Sequence, residues 1–94
     1  MAIQIRSVVV RVEGLLSTTV DDEVVILNPE RDNYVGLNAM GREIWELLHQ
    51  PREVDELCRT LGELYREPPE RIAEDVLAFL AEMLDEGLMR VVES

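Results

Sequence analysis

The sequence predicts an α+β fold, a small winged helix-turn-helix-like domain in which a three-stranded antiparallel meander is followed by three helices. Three observations carry this reading. β-Branched runs separated by turn signals fill residues 15–37, "LLSTTVDDEVVILNPERDNYVGL". Apolar residues at helical spacing then recur from Met40 to Leu84, interrupted at Gln50–Pro51 and Pro68–Pro69. A short extended piece, "LMRVV" (88–92), closes the chain after Gly87.

The elements follow in order. "SVVVRV" (7–12) reads either as a strand or as an extended arm, so residues 1–14 are assigned to an N-terminal arm or an extra strand. "LLSTTV" (15–20) is β-branched and runs into the acidic turn Asp21–Asp22. "EVVILN" (23–28) is a strand by its Val and Ile content. "PERD" (29–32) is a proline-led turn, and "NYVGL" (33–37) returns from it. Asn38 is a good N-cap, because its side chain accepts a backbone N–H of the first turn. Met40, Ile44, Leu47 and Leu48 then mark a first helix that ends at Gln50–Pro51. Val54, Leu57, Cys58, Leu61, Leu64 and Tyr65 share one side of a second helix. Pro69 suits the first turn of a third and longest helix, roughly 69–86, with Gly87 as its C-cap.

Composition narrows the function. Ninety-four residues are expected to form one domain over 1–94 with a modest core. Hydrophobic residues make up 47% and charged residues 31%, a globular and not a disordered balance. Nine basic against twenty acidic residues give a formal charge of −11. Phosphate backbones and anionic lipids attract basic surfaces, so neither nucleic acid nor a membrane is an expected partner. The single cysteine, Cys58, precludes an internal disulfide. With no signal-peptide pattern and no long apolar segment, the expected location is cytoplasmic.

Catalytic constellations are missing. His49 is the only histidine and falls near a helix end, where it favours the dipole. Cys58 sits among core positions without a base beside it. One Cys and one His cannot build a Cys/His zinc site, and the glycines are too scattered for a phosphate loop. The carboxylate pairs Asp21/Asp22, Glu74/Asp75 and Asp85/Glu86 read as solvated charge. No cofactor and no enzymatic activity are expected.

The meander carries more information. A hairpin closed by "PERD" puts Asn28 opposite Asn33, Leu27 opposite Tyr34, Ile26 opposite Val35, Val25 opposite Gly36 and Val24 opposite Leu37. Alternation then places Val24, Ile26, Val35 and Leu37 on one face and Val25, Leu27, Tyr34 and Gly36 on the other. Both faces are apolar. Helices cover one, and the other needs the arm, a second subunit or a ligand. The 33–37 strand has a free edge, a template for an extended peptide. On the third helix, the stripe Ile72, Val76, Phe79, Met83 adjoins a second stripe, Ala73, Leu77, Leu80, Leu84. Together they exceed the arc of a simple core-facing helix. Either the helix is central and well buried, or the excess lines a groove beside the sheet edge.

"VVILNPERDNYVGLNAMGREIWELL" followed by "RIAEDVLAFLAEMLDEGLM" resembles the family of the pyrroloquinoline-quinone synthesis protein D, the RiPP recognition element. The resemblance spans about residues 15–92 and is strongest to the small stand-alone proteins of split lasso-peptide systems. It implies a non-catalytic adaptor that binds the leader of a ribosomally made precursor by β-strand addition. It further implies delivery to a separate, cysteine-protease-like leader peptidase and to a cyclase. By the resemblance the receiving strand is Asp32, Asn33, Tyr34, Val35, Gly36 and Leu37, and the helix wall draws on Ala73, Val76, Leu77, Leu80 and Leu84. The alternatives are a peptide chaperone for a radical enzyme, as in pyrroloquinoline-quinone assembly, and a structural homodimer. A winged-helix transcription factor needs a basic recognition helix, whereas "RIAEDVLAFLAEMLDEG" holds only Arg71.

Overall fold

The computed structural model describes residues 3–92, so the ends of the expected 1–94 domain, 1–2 and 93–94, lie outside the described residues. Strand β2 (Leu16–Val20), β3 (Glu23–Asn28) and β4 (Asn33–Leu37) form the expected antiparallel meander, in the order β2-β3-β4. The hairpin register is the one that hydrophobic alternation demands, from Asn28 opposite Asn33 to Val24 opposite Leu37. The β2–β3 turn is a two-residue loop with positive φ at both Asp21 (48°) and Asp22 (70°). That backbone twist matches the strands, and aspartate tolerates it.

The first strand, β1 (Val8–Arg11), leaves the meander and builds a second sheet. It is the middle strand of that sheet, flanked by β5 (Arg52–Glu53) and β6 (Met89–Val92). The extra-strand reading of "SVVVRV" is therefore the one realised, and β1 ties the two ends of the chain together. Val8 pairs with both Glu53 and Val92. The dipeptide Arg52–Glu53 belongs to this sheet, and the second helix starts after it.

Three helices complete the fold: α1 (Ala39–Leu47), α2 (Val54–Tyr65) and α3 (Pro69–Asp85). Asn38 caps α1, its Oδ1 accepting the Gly41 N–H at 2.8 Å. Gly87, at φ +77°, ends α3. There the Leu88 N–H reaches the Met83 carbonyl (2.9 Å) and the Gly87 N–H reaches that of Leu84 (3.1 Å), a Schellman motif. No helix among the described residues is long and apolar enough to cross a membrane.

The core lies between the inner face of the meander and the helices. Ile26 and Leu37 from the sheet meet Ile44, Trp45, Leu57, Leu61, Ile72, Val76, Leu80 and Met83. Two residues expected on the buried side of α2 are exposed instead, Leu64 at 57% and Tyr65 at 41%. Leu64 lies on the flank toward α1, facing a shallow groove with Leu47 and Glu43. Tyr65 follows the apolar stripe into the last turn, just before the chain reverses at the left-handed Arg66.

Two glycines make opposite predictions. A Cβ at Gly62 would stand 2.8 Å from the Glu67 carbonyl oxygen, a backbone atom that cannot swing away. Gly62→Ala is expected to cost about 1–3 kcal/mol, the usual range for overpacking. A Cβ at Gly36 meets nothing within 4 Å. Gly36→Ala is expected to fold normally and gain up to about 1 kcal/mol, because glycine weakens a strand. Urea denaturation of both variants checks the pair.

Candidate functional site

Strand β4 is an outer strand of the meander and hydrogen-bonds only β3. Its side chains divide as alternation requires. Leu37 is buried and Val35 half-buried on the inner face, while Tyr34 (74% exposed) and Gly36 stand on the outer face. Asp32, at φ +52°, closes the turn that leads into the strand. The outer face is bare. Leu16, Leu27 and Tyr34 line up across the three strands, and β1 is not there to cover them. Nor does β1 lie along β4, since Val8–Arg11 is engaged with β5 and β6.

The helix beside this edge is α3. Its C-terminal end is clasped to the hairpin turn. Arg31 Nη1 donates to the Asp85 carbonyl (2.6 Å), and Asn33 Nδ2 donates to Glu86 Oε2 (2.7 Å). Asn28 Nδ2 points at the Glu86 carbonyl at 3.5 Å. The clasp leaves the other Asn33 side-chain atom, Oδ1, buried with no donor. A buried acceptor without a partner is uncommon and calls for an explanation.

Further along, where β4 passes through Asn38 into α1, a cavity of about 260 Å³ lies between α1 and α3. Asn38, Met40, Gly41 and Ile44 line one side, and Asp75, Ala78 and Phe79 line the other. Phe79 approaches α1 so closely that a Cβ at Gly41 would lie 3.0 Å from its ring. The α3 stripe facing β4 and α1 therefore runs Asp75, Ala78/Phe79, Glu82, Glu86.

This geometry redistributes the expected helix wall. Val76 and Leu80 are 0% exposed and belong to the core, leaving no surface for a ligand. Ala73, Leu77 and Leu84 are half-buried, about half a helical turn around α3 from Asp75 and Glu82. The structure thus groups Asp32–Leu37 at one edge but does not bring those five helix residues to it. Ala78 and Phe79, which line the cavity, were not among the expected wall residues. Their signal was Gly41, because a glycine inside a helical pattern marks a close approach by a neighbour.

No group of His, Cys, Asp and Glu among the described residues is arranged to hold a metal. His49 follows α1, with its Nδ1 2.8 Å from the Glu46 carbonyl. Cys58 is 1% exposed inside the core. Burial first, and the Asp55 carboxylate second, raise its thiol above the ordinary value.

Comparison with known proteins gives a consistent neighbourhood. Residues 23–89, more than two thirds of the chain, match the family of coenzyme PQQ synthesis protein D (PqqD). No curated protein matches the chain. Among solved structures it is similar to TbiB1 in complex with the TbiA(β) leader peptide. That likeness has a TM-score of 0.78 at 26% identity and covers 90% of this chain and 99% of that one. The fold is also shared with the PqqD truncation of Methylobacterium extorquens PqqCD, described as a functional and stand-alone RiPP recognition element. Here the TM-score is 0.74 at 21% identity, over 88% of each chain.

The raised thiol has a testable sign. A folded-state pKa above the unfolded one contributes stability below the unfolded value, about 8.5, and that contribution is lost as pH rises through the folded value. Native Cys58 is expected to resist a thiol reagent at about pH 8 until the protein unfolds. Cys58→Ala should flatten the loss of stability above about pH 8.5, measured by urea denaturation across the alkaline range.

Proposed function

The chain belongs to the coenzyme PQQ synthesis protein D family, and from that premise we propose that it is a non-catalytic adaptor that captures the leader of a ribosomally synthesised precursor peptide. The leader adds as a strand to the free edge of β4, and its side chains enter the gap against α3. One observation carries the reading. A solvent-side strand edge runs from Asn33, whose buried Oδ1 lacks a donor, to Asn38 at the mouth of a cavity between α1 and α3. The N–H of an added strand satisfies that acceptor. Within the proposed seat, Asp32–Leu37 supply the strand, and Ala78 and Phe79 supply the apolar wall.

Charge adds selectivity. Asp32, Asp75, Glu82 and Glu86 surround the seat in a chain of net charge −11 and steer a basic leader segment toward it. That TbiB1 is solved in complex with a leader peptide supports leader capture, and the sequence resemblance to split lasso-peptide proteins points to a lasso-peptide system. There the adaptor delivers the bound leader to a separate cysteine-protease-like peptidase and to a cyclase. Delivery works through effective concentration, since a tethered substrate meets the enzyme almost intramolecularly. Service to a radical enzyme is the second reading, favoured by the family match itself. The proposed compartment is the cytoplasm.

Ala78→Trp tests the seat. Ala78 is exposed, so the variant is expected to fold, and an indole fills the cavity between α1 and α3 at the end of β4. Fluorescence polarisation with the labelled leader of the neighbouring precursor gene should show saturable binding to the wild type and at least about tenfold weaker binding to Ala78→Trp. No saturable binding by the folded wild type would overturn the adaptor reading. Equal binding by both proteins would move the leader away from α3.

A further inference from the structure

All nine basic residues of this acidic chain are arginines, and three of them gather in one place. Arg11 on β1, Arg90 on β6 and Arg42 on α1 line two adjoining cavities, of about 320 and 220 Å³, which share Arg11, Ser17 and Trp45. Among the described residues none of the three guanidinium groups is ion-paired, although carboxylates outnumber arginines twofold. Two carboxylates, Glu13 and Glu46, also line this notch, which still leaves it net positive in a molecule of charge −11.

Its arginines are preorganised. Arg11 lies over the Trp45 ring, 5.2 Å from the centroid, and donates Nη1 to the Trp45 carbonyl at 3.3 Å. That contact holds the fork still while using one of its N–H donors. Arg42 Nε is buried and has no acceptor. A fixed guanidinium beside an unsatisfied buried donor suits a carboxylate.

We propose that this notch docks an acidic segment of a protein partner, the enzyme to which the adaptor delivers its leader. The inference rests on the adaptor reading for why a second partner is needed. Two features select a protein segment over a free anion. The notch opens along β2, whose outer edge is unpaired, and exposed Leu16 and Val20 project from the other face of that strand, so a segment alternating acidic and apolar residues along the edge meets both. A small anion uses neither the edge nor the apolar side chains. The notch also lies on the far edge of the meander from β4, so both partners fit at once.

The test is an NMR titration of the whole chain at about 0.15 M salt, where a Debye length of about 8 Å makes the local guanidinium groups, not the net charge, set the field. The probe is an acetylated synthetic octapeptide of alternating Glu and Leu. Its Lys/Leu counterpart and inorganic phosphate serve as controls. Saturable shifts are expected at the Trp45 indole N–H and at the Arg11 and Arg42 Nε–H signals, with the Gly36 amide unmoved. Arg90→Gln, at an exposed residue, should weaken the response about tenfold, and adding Arg11→Gln should abolish it.

The proposal fails if no saturable shift appears by about 1 mM, or if both variants respond as the wild type does. Equal binding of the Lys/Leu peptide also defeats it, as does inorganic phosphate reproducing the shifts at equal affinity. A separate leader titration reads the Gly36 amide, so failure of the notch and failure of the leader seat are told apart.

Discussion

Strand β1 pairs with β5 and β6 and not with the meander, and the rest of the molecule depends on that choice. It pairs the first strand with the last and carries Val9 into the core. It also leaves β2-β3-β4 with two open edges and an uncovered outer face. Open edges are ordinarily a liability, because a row of unpaired N–H and C=O groups recruits other chains. Here the flanks of each edge are specialised. Beside β4 lies an acidic, apolar-floored gap against α3, and beside β2 lies a notch of arginines around Trp45. In the proposed adaptor these are two distinct docking surfaces, and one strand's withdrawal creates both.

The gap at β4 has a defined width because both of its ends are pinned. At one end Asn38 starts α1 immediately after the strand. At the other, the Schellman turn of α3 hands its carbonyls to Arg31 and Asn28, while Glu86 takes the Asn33 amide. Gly41 and Phe79 set the closest approach of the two helices between these points. The proposed receiving strand and helix wall are thereby held in place without a peptide, which lowers the ordering cost of the proposed binding.

Much of this was legible in the residues. The turn at 29–32 and strict alternation determine the β3–β4 register, because a one-residue slip would send Ile26 and Leu37 to solvent. Asn38, Pro69 and Gly87 mark helix boundaries by local chemistry alone. The pairing of β1 was not legible, because its partners are far away and one is the dipeptide Arg52–Glu53, which carries no strand signal. The side of α3 that meets the sheet edge was also hidden. Periodicity locates the buried arc, centred near Val76, but two flanks border every arc. Ala73 and Leu77 on one flank are as apolar as Ala78 and Phe79 on the other. Contacts from α1 and the hairpin turn choose between them, and those are properties of the assembled fold.

In the proposed complex an extended leader completes the sheet at β4. Amide hydrogen exchange across residues 33–37, with and without the leader peptide, tests it most directly. Strand addition predicts that the outward-facing amides of β4 gain protection on binding, while those of β2 exchange as before. Saturable leader binding with unchanged exchange along β4 would contradict the account and place the peptide elsewhere.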